Sequence, residues 1–232
     1  MHKDTTANSP PLTTGRTLDH VAGVYDLLAP LMMLGMERRF TRIVLDLLAL
    51  SGDERVLDVG CGTGSLTIAI ARRLGMTARS RALGVDAAPR MIEVARQKAK
   101  GIPGVVFDVQ AAESLSYPDA SFEHAVSTLF FHHVSFDLKV RALNEIHRVL
   151  VPGGRAVIVD VDRPTNVWGA LCAWSGYILF QQDEILENIR GQLIGAFAES
   201  RFRQCRRISH HSGYVSVFML HKQNDMAGKE QK

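Results

Sequence analysis

The sequence predicts an α/β protein whose doubly wound, mostly parallel sheet has seven strands and an antiparallel C-terminal edge strand. Three observations carry this prediction. Short β-rich runs alternate with helical segments, a glycine-rich turn joins the first run to a helix, and Ser212-Gly213 separates two final β-rich runs. Strands that alternate with helices favour a parallel sheet covered on both faces. No linker-like stretch divides the chain, so we expect one domain.

Hydrophobic periodicity places the elements along the chain. A helical region with Phe40, Val44 and Leu48 at helical spacing comes first and covers the sheet. The predicted strands are 55–59, 82–86, 105–109, 124–128, 156–161, 202–209 and 214–221, and the predicted helices are 65–74, 89–100 and 136–150. After residue 162 we expect the apolar segment 167–180. One helix then follows, with Ile185, Leu186, Ile189, Leu193 and Phe197 on one face.

Composition excludes several classes of protein. The 232 residues are 46% hydrophobic and 22% charged, and their formal net charge of +3 is too weak for a dedicated nucleic-acid-binding protein. Cys61, Cys172 and Cys205 have neither disulfide-framework nor zinc-site spacing, so we expect a reducing cytoplasm and no metal. The polar tails, 1–16 and 223–232, are predicted to be disordered, and residues 17–222 are predicted to form the domain. The first twenty residues lack the apolar segment of a signal peptide.

Residues 56–64, VLDVGCGTG, run from an apolar strand through a glycine-rich turn into a helix. Glycines at 60, 62 and 64 permit positive φ and close approach of a ligand, and the helix N-terminus offers free N–H groups. The spacing is GxGxG, not the GxGxxG of dinucleotide-binding loops, and Asp58 precedes it. This carboxylate repels a pyrophosphate and suits an ammonium or sulfonium group. Its alternative role is to bond local backbone N–H groups.

The next strand ends at Asp86, where the second strand of such a fold meets its ligand. A carboxylate there accepts hydrogen bonds from two ribose hydroxyls. The alternative role of Asp86 is to cap the helix that starts near Pro89. The glycine-rich turn beside it favours ribose binding.

Three segments resemble the class I S-adenosylmethionine-dependent methyltransferases: LDVGCGTGSLTIAIA at 57–71, GVDAAPRMIEVAR at 84–96 and LNEIHRVLVPGGRAVIVD at 143–160. Within that superfamily the chain is most similar to the ubiquinone/menaquinone-biosynthesis C-methyltransferase group, whose VAxxYD pattern resembles residues 21–26. The resemblance covers residues 16–222. It implies a Rossmann-like methyltransferase fold, S-adenosyl-L-methionine as the cofactor and S-adenosyl-L-homocysteine as its product.

The resemblance also implies a cofactor-binding role for individual residues. The methionine part is surrounded by Asp58, Gly60, Cys61, Gly62 and Gly64; Asp86 holds the ribose; Ala87 and Met91 flank adenine; and Thr128 lies at the end of the fourth strand. Met91 also fits a role in core packing. Ala111 replaces the acidic residue that many relatives direct at the adenine amino group. The backbone of Ala112, or the side chains of Gln110 and Glu113, are the candidate substitutes.

Residues 127–134, STLFFHHV, resemble the SxxLHHV stretch that borders the transferred methyl group in small-molecule methyltransferases. Methyl transfer mainly needs alignment and exclusion of water, but a phenol, quinol or amine acceptor must also lose a proton. Histidine titrates in the range this requires, so His132 and His133 are candidate bases. Their alternative role is to fix the loop. The stretch lacks the Asn/Asp-Pro-Pro-Tyr/Phe pattern of amino-directed methyltransferases, so we expect no nucleic-acid acceptor.

The resemblance implies that residues 163–182 form a lid over the acceptor and that 17–50 form an N-terminal helical cap, with Tyr25 near the donor. An apolar lid that carries Trp168 and Trp174 predicts a lipophilic acceptor. The 167–180 segment is too short to span a bilayer but suits its surface. Arginines 201, 203, 206 and 207, followed by His210 and His211, would then attract anionic head groups. The alternative is packing without membrane contact.

The sequence therefore predicts an S-adenosylmethionine-dependent methyltransferase that acts on a small, hydrophobic acceptor such as a quinol or phenol. We expect it in the cytoplasm, with possible peripheral contact with a membrane. Phospholipid-amine or natural-product methylation and a catalytically inactive, methyltransferase-like binding subunit are the alternatives. An NAD-dependent oxidoreductase is disfavoured by Asp58 and the GxGxG spacing. The sequence does not predict an oligomeric state.

Overall fold

The computed structural model describes residues 36–75, 81–180 and 183–224. Outside these ranges lie the predicted tail 1–16, residues 17–35 of the predicted cap, which include Tyr25, and residues 225–232. The described helices are α1 (Met36–Leu48), α2 (Ser65–Arg73), α3 (Pro89–Lys98), α4 (Phe136–Val149), α5 (Val167–Phe180), α6 (Asp183–Ile189) and α7 (Gln192–Glu199). The strands are β1 (Arg55–Val59), β2 (Arg81–Asp86), β3 (Val105–Val109), β4 (Phe122–Thr128), β5 (Leu150–Val161), β6 (Gln204–His211) and β7 (Val215–His221).

The strands form one seven-stranded sheet in the order β3-β2-β1-β4-β5-β7-β6. Strands β1 to β5 are parallel, whereas β7 runs antiparallel to both of its neighbours, β5 and β6. The predicted fold class is therefore confirmed. The carboxyl ends of the parallel strands meet at one edge of the sheet, which we call the site edge. Ligands of open α/β sheets bind at this edge.

The β6–β7 hairpin also turns at the site edge. Ser212 and Gly213 both have positive φ (51° and 76°), and the Tyr214 N–H donates to the His211 carbonyl over 3.1 Å. Positive φ at both central residues gives the type I′ turn that suits two-residue hairpins. The predicted turn is thus confirmed, although β6 begins at residue 204 rather than 202.

Apolar residues fill both faces of the sheet. On one face α4 and α7 pack against β4 and β5, with Leu143, Ile146 and Phe197 fully or almost fully buried. On the other face α1, α2, α5 and α6 contribute to a second cluster. Helix α1 joins this cluster because Phe40, Val44 and Leu48 recur every fourth residue on its buried side.

The single helix predicted over residues 185–197 is wrong. Gly191 adopts φ +86° and its N–H donates to the Asn188 carbonyl, which ends α6 before α7 begins. The break has a packing cause: Ile189 of α6 lies in one core cluster and Leu193 of α7 lies in the other. In the described part of the chain no helix is long and apolar enough to cross a membrane.

Candidate active site

The turn of residues 60–64, which we call the glycine turn, links β1 to α2. Gly60, Gly62 and Gly64 all have positive φ (72°, 53° and 78°), a backbone conformation that residues other than glycine rarely adopt. The N–H groups of Gly60 and Cys61 donate to the Val85 carbonyl, and Gly64 is the N-cap of α2. The turn is therefore fixed on β2 at the site edge.

The three glycines differ in what surrounds them. A Cβ on Gly60 would lie 2.5 Å from the Phe130 ring, and a Cβ on Gly64 would lie 2.5 Å from the Phe107 ring. A Cβ on Gly62 would meet no atom within 4 Å. The first and third glycines therefore permit tight packing, whereas Gly62 presents its backbone to open space that a ligand can enter.

Asp58 is buried in β1 directly before the glycine turn. Its Oδ2 atom accepts a 2.6 Å hydrogen bond from Thr67 Oγ1, while Oδ1 is buried with no partner among the described residues. Burial raises the pKa of Asp58 to about 7, and the negative charge of Asp86 acts in the same direction. A nearby cation would stabilise the ionised carboxylate, so the position suits an ammonium or sulfonium group.

Asp86 at the end of β2 connects two backbone segments of the site. Its Oδ2 atom accepts a hydrogen bond from Gly62 N (3.0 Å), and its Oδ1 atom accepts one from Ala88 N (2.9 Å). The N-cap of α3 is Ala88, so Asp86 steadies the entry to the helix without being its cap residue. A carboxylate can accept several hydrogen bonds, so this residue type at a strand end suits ribose hydroxyls.

An open depression of about 470 Å³ lies beyond the end of β3 and is lined by Asp108, Val109, Gln110, Ala111, Ser114 and Ser116. Gln110 Oε1 accepts the Ser116 N–H over 2.9 Å, so this side chain is engaged within its own loop. Ala112 is buried and Glu113 is half-buried. On the preceding helix Met91 is buried beside the half-buried Ala87 of the β2–α3 link. Asp108, which we did not predict, is the carboxylate on the rim.

The turn of residues 129–134, which we call the acceptor turn, follows Thr128 at the end of β4. Thr128 is half-buried and pairs with Val159. Leu129 has a strained φ of +56°, and the Phe130 ring packs over Gly60. This contact places the acceptor turn directly against the glycine turn.

His132 is held by a buried carboxylate. Its Nδ1 atom lies 2.7 Å from Oδ1 of Asp160, a fully buried residue near the end of β5. The Phe131 and Val161 N–H groups also donate to Asp160, at 2.7 Å each. Because Asp160 accepts, Nδ1 of His132 carries the hydrogen and Nε2 is left to take a proton. The ring centroids of His133 and His132 lie 3.9 Å apart.

A second layer of polar contacts fixes this pair. Asn188 of α6 donates to Asp160 Oδ1 (3.3 Å) and to the Val161 carbonyl (3.0 Å). The fully buried Lys139 donates to the Val134 carbonyl and to Glu187 of α6 (2.6 Å). Burial lowers the pKa of Lys139, while Glu187 opposes that effect. The adjacent residues Glu187 and Asn188 thus connect α6 to the acceptor turn, through Lys139 and through Asp160.

Comparison with known proteins now identifies the family. A family described as a methyltransferase domain matches residues 56–154. The chain is 30% identical to the ubiquinone/menaquinone biosynthesis C-methyltransferase of Geobacter sp. (strain M21), across 86% of this chain and 92% of that protein. It is 34% identical to the demethylmenaquinone methyltransferase of Thermus thermophilus, across 78% and 79% of the two chains. The chain belongs to the class I S-adenosylmethionine-dependent methyltransferases.

Solved structures agree on the fold of this methyltransferase. The YcgJ protein of Bacillus subtilis superposes with a TM-score of 0.64 at 20% identity, across 81% of this chain and 100% of that one. A geranyl diphosphate C-methyltransferase from Streptomyces coelicolor, whose structure contains S-adenosyl-L-homocysteine, superposes with a TM-score of 0.60 at 17% identity, across 81% and 77% of the chains.

The cofactor of the methyltransferase is S-adenosylmethionine, and the residues present fit it. The open backbone at Gly62, the unpartnered buried oxygen of Asp58 and the strand-end carboxylate of Asp86 lie together at the site edge. Sequence reasoning missed Asp160, Asn188 and Lys139. The available signal for Asp160 was its position, since it stands at a strand end as Asp58 and Asp86 do. Within the described ranges no group of three or more His, Cys, Asp or Glu residues could hold a metal ion.

Proposed function

We propose that the methyltransferase transfers a methyl group to a small, hydrophobic acceptor that carries an acidic hydroxyl group, such as a quinol or a phenol. The observation that carries the proposal is the contact of the half-buried His132 with the fully buried Asp160, beside the glycine turn. The names of the Geobacter and Thermus relatives support quinone-type chemistry as the first class to test. The other product is S-adenosyl-L-homocysteine.

The cofactor site is assigned to the residues around the glycine turn. Asp58 would face the positive charge of the cofactor, and the backbone of Gly60, Cys61, Gly62 and Gly64 would surround its methionine part. Asp86 would accept the ribose hydroxyls. Ala87, Met91, Ala112, Glu113 and Thr128 are assigned to the adenine and methyl ends. When bound, the cofactor supplies an electrophilic methyl group on a sulfonium centre.

His132 is assigned the role of general base, and Asp160 is its positioning residue. Nε2 of His132 would take the acceptor hydroxyl proton, which makes the oxygen, and the ring carbon next to it, more nucleophilic. Asp160 holds the ring by Nδ1 and stabilises the imidazolium that forms. This assignment disfavours the inactive binding subunit, because a cofactor-binding scaffold alone needs no such pair. His133 packs against His132 and is assigned a supporting role.

The apolar surroundings of the acceptor turn support a hydrophobic substrate. Phe130 and Phe131 directly precede His132, and the lid of residues 163–182 includes α5, whose sequence has no charged residue. Apolar surroundings of this kind would help to exclude water from the acceptor. With such an acceptor we propose a cytoplasmic enzyme that makes peripheral contact with a membrane.

The test is an anaerobic assay with chemically reduced quinols and with phenols of increasing alkyl-chain length. Labelled S-adenosylmethionine provides the methyl group, and nuclear magnetic resonance identifies the methylated atom. We expect ring-carbon or oxygen methylation that becomes faster with chain length. Turnover of amines with none of quinols or phenols would contradict the proposed acceptor class.

A further inference from the structure

Helix α5 carries exposed apolar residues between positions 167 and 178. Val167, Trp168, Leu171, Trp174 and Ile178 are 45–78% exposed, and we call them the apolar stripe. Residues 167, 171, 174 and 178 are spaced by four, three and four positions, which places them on one side of the helix. Soluble proteins rarely leave a contiguous surface of this kind without a partner.

Packing on the opposite side of α5 determines the direction in which the apolar stripe points. Ala173 is buried, and Cys172 and Tyr177 pack against the core cluster that contains Tyr214 and Val215. The stripe therefore cannot turn inward without breaking these contacts. It is an outward surface at the site edge, since α5 follows the carboxyl end of β5.

Positive charge surrounds the first turn of α5. Arg163 and Arg190 are exposed and adjacent, since the Arg163 Nη2 donates to the Arg190 carbonyl over 3.2 Å. Neither arginine forms an ion pair within the described ranges. The Gly213 carbonyl accepts the Thr165 N–H, and α1 begins beside the same hairpin turn with Arg38 and Arg39 exposed.

The arginines of β6 contribute less to this surface than the sequence suggested. Arg207 is paired with the buried Asp162 at 2.6 Å. Arg201 and Arg203 lie at the start of β6, where Gln204 pairs with His221, and His221 in turn pairs with Arg155. This is the end of the sheet opposite the site edge. Asp183 and Glu184 begin α6 beyond the far end of α5, so the positive charge is confined to the first turn of α5.

We propose that the apolar stripe and the arginines at the start of α5 dock the enzyme on an anionic lipid bilayer, with α5 lying in the plane of the surface. Tryptophan is suited to this position because its ring is apolar and its N–H can reach water. Arginines beside an apolar helix face add attraction for anionic head groups. The inference deepens the proposed function, because a bilayer dissolves lipophilic acceptors. Its test uses no methyl transfer, so the docking and the proposed methyl transfer fail separately.

The chain contains only two tryptophans, and both lie on the stripe. The tryptophan fluorescence of the full chain, excited where tyrosine does not absorb, therefore reports on this surface alone. We expect vesicles of phosphatidylcholine with phosphatidylglycerol to shift the emission to shorter wavelength and to carry the protein in flotation. Vesicles of phosphatidylcholine alone should bind it more weakly. Salt should reduce the binding to anionic vesicles.

Leu171→Asp should lower the partition coefficient by about tenfold or more, because one large apolar contact is lost. Arg163→Glu with Arg190→Glu should remove the preference for anionic vesicles. Val106→Asp and Arg201→Glu are the matched controls, since Val106 is an exposed apolar residue on β3 and Arg201 lies away from the stripe. Both should bind as the parent does.

Two results would overturn the proposal. One is a folded parent protein that binds neither kind of vesicle. The other is an emission that is already at short wavelength and protected from acrylamide without vesicles. In the second case sedimentation velocity shows what covers the stripe. A concentration-dependent dimer that Leu171→Asp abolishes means that a second copy of the chain covers it. A monomer means that residues of the same chain cover it.

Discussion

Replacing Asp58 with asparagine should change how the stability of the enzyme depends on pH. Burial, helped by the charge of Asp86, raises the pKa of Asp58 from its usual 3.8 to about 7, although Thr67 acts in the opposite direction. The folded state therefore binds this proton more tightly than the unfolded chain does. The resulting stabilisation is fully present below pH about 4 and is lost as pH rises through about 7.

The size of the effect follows from the pKa difference. A rise in pKa from 3.8 to about 7 corresponds to roughly 4 kcal/mol in the free energy of unfolding. Asparagine does not ionise, and its amide oxygen can still accept the Thr67 hydrogen bond. Relative to the parent, the variant should gain up to roughly that amount as the pH rises from about 4 to about 8.

Urea unfolding of both proteins at a series of pH values measures this difference directly. Contributions from carboxylates that do not interact with Asp58 cancel, including that of Glu54, whose pKa is lowered to about 2. Asp46→Asn is the control, because Asp46 is exposed and forms no ion pair within the described ranges, so the variant should track the parent at every pH. A difference between Asp58→Asn and the parent that does not change with pH would refute the reasoning, since Asp58 would then have the same pKa in the folded and the unfolded state.

Two further predictions concern the chemistry and the glycine turn. His132→Gln and Asp160→Asn should each lower kcat by about 10²-fold to 10⁴-fold with little change in cofactor affinity, and near-parent kcat in both would remove the assigned base. Gly62→Ala should weaken S-adenosylmethionine binding in calorimetry and should lower the melting temperature only through the strain of its positive φ, because its methyl group enters open space. Gly60→Ala should lower the melting temperature further, since its methyl group would also collide with Phe130. Equal losses of melting temperature in the two variants would contradict the distinction.

The parts of the fold that follow local rules could be predicted from the sequence. Positive φ at Gly60, Gly62 and Gly64 follows from the spacing of the glycines, and the hairpin turn follows from Ser212-Gly213. Both depend on backbone conformations that few other residues adopt. Asp86 could be placed at the site edge for a related reason, because it ends an apolar run before a proline-initiated helix.

Features that depend on tertiary packing could not be predicted in this way. Ile185, Ile189, Leu193 and Phe197 keep helical spacing across Gly191, so periodicity alone does not reveal that the two halves face different core clusters. The tie between Asp160 and His132 joins positions 28 residues apart in the chain. A sequence also shows that α5 is apolar all round, but only the fold shows which side is exposed.

Calorimetric titration of the enzyme with S-adenosylmethionine, S-adenosylhomocysteine and NAD, repeated with Asp86→Ala, tests the central claim most directly. We predict micromolar binding of both adenosyl ligands and none of NAD. Asp86→Ala should weaken the adenosyl ligands by about tenfold to a hundredfold, because Asp86 would contribute charged hydrogen bonds to the ribose. Unchanged affinity in the variant, or binding of NAD in place of the adenosyl ligands, would contradict the assignment of the cofactor to the glycine turn.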